Sequence, residues 1–170
     1  VDLLFVRRDA LGSRLIRWAT NSEASHFAVA FDEGGYGIVF HSGPRGTELR
    51  WMTEFLEEHQ IVHKLRPLSK LGLLAEEEMY RAVLRTEYRR AYDWPAIAWW
   101  AWRAVLRKLL KIPLPQRNQW QNPHWRICTG IAPAVMRELG IPLWLTDAEM
   151  IDLDELYRSI MASGRFMEGV

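Results

Sequence analysis

The chain contains one cysteine, Cys128, in 170 residues. That excludes an intrachain disulfide framework and suits a reducing compartment. An excess of one charge is also missing. The net charge is +1, so no overall field draws the protein to nucleic acid. Long apolar runs are absent from the start: in VDLLFVRRDALGSRLIRW a charge interrupts every few residues, which excludes a signal-peptide core or a spanning helix there. The cytoplasm is therefore the default location, with export by another route or carriage in a phage particle leaving the same sequence. Local metal motifs such as CxxC or HExxH do not occur, nor does an internal repeat, a low-complexity tract or an interdomain linker.

What is present is 49% hydrophobic residues and nine tryptophans, enough for one globular domain over residues 1–170. DLLFVRR reads as an opening strand, and QIVHKLRP (60–67) as another. Between Asp9 and TNSEAS, Leu11, Leu15 and Trp18/Ala19 keep helical spacing, with Arg14 and Arg17 facing away. The stretch SGPRGTELRWMTEFLEEH is a polar segment, and His59 and His63 lie in polar surroundings that suggest surface positions. LAEEEMYRAVLRTEYRR reads as a helix with acids in its first turn and bases in its last, as the macrodipole favours. DLDELYRSIMASG closes the chain as a helix, with Asp152 and Glu155 at capping-box spacing.

HFAVAFDEGGYGIVFHS (26–42) is the clearest hairpin. Gly34-Gly35 suits a two-residue type I′ loop, which sets Glu33 opposite Tyr36 and makes paired numbers sum to 69. His41 then faces Ala28, and His26 is its diagonal neighbour, so both imidazoles share one face of the sheet. Phe27, Val29, Phe31, Ile38 and Phe40 occupy the other face. A three-residue loop would put one histidine on the wrong side.

Cys128 stands just before a helix over 129–139, which buries Ile131, Val135 and Leu139 and closes at Gly140. A helix start lowers a thiol pKa and points backbone amides at an oxyanion. A histidine on a sheet face is a suitable base, and a second can fix its tautomer. His124, four residues before Cys128, is a weaker candidate partner in a Pro-containing turn. One Cys and two His could alternatively form a three-ligand zinc site with an open position.

SRLIRWATNSEASHFAVAF, with Ser-His heading a strand, resembles the opening of the permuted NlpC-type papain-like hydrolases. RICTGIAPAVMRELG resembles their nucleophile helix, and Tyr92-Asp93-Trp94 their Tyr-Asp-aromatic step. That superfamily includes the YiiX-like proteins and is related to the lecithin retinol acyltransferase family. The resemblance spans roughly residues 2–155, and the order of its short motifs carries it. It implies an α+β, circularly permuted papain-like fold with a small antiparallel sheet packed against helices. It also implies that Cys128 is the nucleophile, His26 the base and His41 the polar third member. The activity expected is a cysteine hydrolase, a peptidase or amidase or a lipid acyl hydrolase or acyltransferase, working through a thioester without a cofactor. Peptidic cell-wall material and acyl lipids are the substrate classes. Two positions depart from the family pattern: Cys128-Thr129-Gly130 replaces Cys-Ser-Glu, and His41 stands where an acid is common.

DWPAIAWWAWRAVLRKLLKIP sets four tryptophans ahead of Arg103, Arg107, Lys108 and Lys111, with Pro95 at a helix start and Pro113 at its stop. Residues 94–112 read either as an interfacial helix touching a membrane through Trp94–Lys111 or as a wall of the cleft. A non-enzymatic membrane- or partner-binding module is the corresponding alternative function.

Overall fold

In the computed structural model, which describes residues 1–33, 36–68, 73–112, 127–139 and 153–169, the fold is α+β. The strands are β1 (Asp2–Arg7), β2 (His26–Glu33), β3 (Tyr36–Gly43), β4 (Gly46–Trp51), β5 (Gln60–Pro67) and β6 (Phe166–Glu168). They form one open sheet in the order β4-β3-β2-β1-β5-β6, with every neighbouring pair antiparallel. The helices described are α1 (Leu11–Thr20), α2 (Met52–Glu58), α3 (Leu73–Glu87), α4 (Trp94–Leu109), α5 (Ala132–Glu138) and α6 (Leu153–Ala162). A 3-10 turn, Cys128–Ile131, leads into α5.

The hairpin register is the expected one: Glu33 pairs with Tyr36 and Ala28 with His41. Its loop, Gly34-Gly35, lies outside the described residues, as do His124, Pro113, Gly140 and Asp152. Alternation along the strands divides the sheet into two faces. Phe5, Phe27, Val29, Phe31 and Phe40 point to one side and form the main core with α3, α5 and α6. Leu4, Val6, Ala28, Ala30 and Val39 point to the other, where Phe55 of α2 covers them. Fully burying a side chain such as Phe27 or Phe55 contributes roughly 1.5–3 kcal/mol.

Two expectations need correction. The polar segment after Ser42 contains β4 and α2, and β6 was not anticipated. The apolar stripe of α1 does not enter the core, since no residue of that helix is buried.

The link between α3 and α4 is fastened to β4. Thr47 exchanges backbone bonds with Arg90 (2.9 Å) and Arg89 (3.2 Å), and its hydroxyl bonds the Glu87 carbonyl and the Arg90 amide. Gly46 makes this approach possible. Its φ is +105°, and a Cβ there would lie 2.3 Å from the Arg90 carbonyl oxygen. Three residues later the Asp93 side chain caps α4 by accepting from the Ala96 amide at 3.0 Å, with Pro95 in the first turn. Tyr92 is thereby delivered to the site.

Candidate active site

The β2–β3 ladder ends at Ala28↔His41. One residue further, the Phe27 amide donates to the Cys128 sulfur, as do the amides of Cys128 and Thr129. The 3-10 turn packs against both strands at this end of the ladder. Cys128 therefore touches the main core while its sulfur faces the strand end where His26 begins β2. Ser25 holds that strand start, since its amide bonds the Val6 carbonyl (2.9 Å) and its hydroxyl meets Ser13 of α1 (2.5 Å).

Cys128, His26 and His41 line one cleft of about 950 Å³. His26 Nε2 lies 3.2 Å from His41 Nδ1, with the rings edge-on at 5.2 Å between centroids. His41 Nε2 lies 3.5 Å from Glu48 Oε1, an ion-pair contact that falls short of a hydrogen bond. Glu48 is the direct cross-strand partner of His41 on β4. Gly43 leaves room for this imidazole, because a Cβ there would sit 3.2 Å from His41 Cε1.

His59 corrects the surface expectation. Its ring stacks on Phe55 at 4.1 Å and 8°, and stands 5.6 Å from His26 and 6.3 Å from His41. Its Nδ1–H donates to the Phe55 carbonyl at 3.0 Å. His63 is separate, half-exposed and paired with Glu168 at 2.6 Å. Glu48 and His59 are thus the members of the site missed in the sequence. The Gly43-Pro44-Arg45-Gly46 turn was the available signal for Glu48, because a two-residue loop there sets it opposite His41.

Burial, then the neighbouring His41 and His59, hold His26 well below the usual imidazole range. Burial, followed by His59 and Arg50, lowers His41 to about 4, against a smaller opposing effect of Glu58. His59 is lowered by burial, which outweighs its bond to Phe55. For Cys128 the sequence suggested a lowered thiol pKa. Burial instead pushes the thiol up, and the three donating amides offset only part of that. The helix behind the thiol starts with a short 3-10 turn, so its dipole is weak compensation for lost water. Tyr92, beside this sulfur, is also pushed up, by burial first and then by Cys128 and Asp93. The buried Thr129 hydroxyl, on the cleft wall, has no hydrogen-bond partner.

α1 and α4 supply much of the remaining wall through Leu15, Ile16, Ile97 and Trp100. The 94–112 segment is thus, over its helix, a cleft wall. Among the described residues no helix is long and apolar enough to cross a membrane.

The fold is similar to that of metalloprotein YiiX from Escherichia coli O157:H7. The TM-score is 0.56 at 10% identity, covering 99% of this chain and 94% of that one. No protein-family model and no curated protein matches the sequence. A metal, as that neighbour's description implies, does not fit the residues described in this chain. His26 Nε2 and His41 Nδ1 face each other at hydrogen-bonding distance instead of converging on a shared point. Among the described residues no group of three His, Cys, Asp or Glu side chains is placed to hold an ion. The alternative of a Cys-His-His zinc site is corrected on the same ground.

Proposed function

We propose that the protein is a papain-like thiol hydrolase or acyltransferase that cleaves an amide or ester through Cys128, His26 and His41. The observation that carries this reading is the 3.2 Å His26–His41 contact in the cleft that Cys128 lines. The motif order of the permuted NlpC-type hydrolases supports it.

The hydrogen-bond chain sets the tautomers. With His41 Nε2–H directed at the Glu48 carboxylate, His41 Nδ1 accepts from His26 Nε2–H. The lone pair of His26 Nδ1 is then the one left for the thiol proton. As sulfur attacks the carbonyl carbon, the C–S bond forms, the proton passes to His26, and the carbonyl electron pair moves to oxygen. The Cys128 amide and the unpartnered Thr129 hydroxyl are the nearby donors for that oxyanion. The C–N or C–O bond then breaks, and His26 returns the proton to the leaving group. Water, or an acceptor alcohol or amine, attacks the thioester. His26 takes the attacker's proton and restores the thiol. The raised thiol and lowered imidazoles mean that Cys128 rests as a neutral thiol, with the proton moving only during attack. The apolar wall from α1 and α4 favours a substrate with an apolar acyl group over peptidic cell-wall material.

The test is alkylation of Cys128 by iodoacetamide at neutral pH in the wild type and in His26→Ala. The reading expects the variant to react more slowly by about tenfold or more. Equal rates would show a buried thiol without a base.

A further inference from the structure

α1 is strongly amphipathic, yet none of its residues is buried. Its stripe Leu11, Leu15, Trp18 keeps i, i+4, i+7 spacing and faces outward, with Leu11 84% exposed. α4 repeats this arrangement. Trp94, Ala98, Trp102 and Leu109 fall on one stripe, and Trp94, Trp102 and Leu109 are 55%, 51% and 66% exposed. The two helices pack against each other. Lys108 joins them: its Nζ donates to the Trp18 carbonyl and lies 4.8 Å from the Trp18 ring centroid. Scattered exposed apolar residues are ordinary in a monomer, but two aligned stripes on neighbouring helices are not.

Charge selects the occupant. α1 and residues 94–112 carry Arg14, Arg17, Arg103, Arg107, Lys108 and Lys111 and no carboxylate, in a chain whose 22 bases nearly balance 21 acids. Arg14 is paired with Asp9 from outside the helix, whereas Arg107, Lys108 and Lys111 are exposed. A second copy of this chain would set these cations against themselves across a two-fold axis. We propose that the α1–α4 face docks on an anionic lipid surface. Trp94 and Trp102 sit at headgroup depth, the leucines reach the acyl boundary, and the lysines and arginines meet lipid phosphates. The helices that carry this face also wall the cleft. Docking does not depend on the thiol chemistry.

The test is sedimentation of the full chain with vesicles of phosphatidylcholine alone, or with about one-third phosphatidylglycerol, at low and high salt. Binding is expected with the anionic vesicles and is expected to weaken as salt rises. Trp102→Glu combined with Leu109→Glu should lower partitioning by about tenfold or more, with the thermal midpoint unchanged. Leu11→Glu should act in the same direction from α1, and decides the matter if the double variant fails to fold. Cys128→Ser should bind as the wild type does, which separates docking from catalysis. Absence of binding, binding indifferent to all these substitutions, or a dimer in light scattering that Leu11→Glu dissolves would overturn the proposal.

Discussion

His26 Nε2 and His41 Nδ1 lie 3.2 Å apart, on the diagonal that the β2–β3 register dictates. The pair gives each ring a different task. His26, at the strand end, is placed for proton transfer. His41 is buried between its neighbours and holds the tautomer. Turnover should therefore fall by about a thousandfold in His26→Ala and by about ten- to a hundredfold in His41→Ala. Glu48→Gln should have the mildest effect of the three. Steady-state kcat/KM on an activated ester checks the ranking, and a His41 variant as dead as the His26 variant would contradict it.

Protonation of the cluster opposes folding. His41 has its pKa lowered from 6.5 to about 4 in the folded state, so between those values the unfolded chain binds the extra proton. The stability this provides is present above pH 6.5 and is lost as pH falls toward 4. It amounts to roughly 3 kcal/mol at most for His41 alone. His26 and His59 act in the same direction. Urea unfolding across this range should show a falling midpoint, and His41→Asn should flatten the dependence.

Thr129 buries a hydroxyl without a partner. Thr129→Val removes that unsatisfied group at nearly constant volume and should stabilise the fold by about 1 kcal/mol. If the hydroxyl assists the oxyanion, the same variant should lose about tenfold in acylation rate. Thermal melts and burst kinetics on one preparation separate the two effects.

Gly46→Ala should be among the most damaging single-methyl changes. The added carbon would meet the Arg90 carbonyl oxygen at 2.3 Å, at a φ of +105°. The expected loss is about 3 kcal/mol or more, because backbone must move as well as side chains. Since the same contact delivers Tyr92, the environment of Cys128 should change too. Gly12→Ala, where nothing lies within 4 Å, is the control.

The sequence made the histidine pair legible because side chains on a strand alternate and the hairpin register follows from one loop length. β5 was readable as QIVHKLRP, and α4 through Asp93 and Pro95. α2 was not readable because Phe55 is its only buried residue, so no apolar period exists to detect. β4 hid among charges, since it is an edge strand that carries Glu48 and Arg50. His59 looked superficial because its sequence neighbours are polar, and only the stacking on Phe55 carries it to the cluster. The meeting of Cys128 with β2 is a tertiary contact that spacing does not encode. α1 misled through a sound helical period whose apolar side faces outward.

The central claim is that Cys128 becomes acylated with His26 as its base. The most direct measurement is intact-protein mass spectrometry during reaction with a p-nitrophenyl acyl ester at neutral pH, in the wild type and in His26→Ala. The account predicts a burst of p-nitrophenolate that matches a single acyl adduct on Cys128, formed about a hundredfold more slowly in the variant. An unmodified Cys128, or an adduct that forms equally fast without His26, would contradict it.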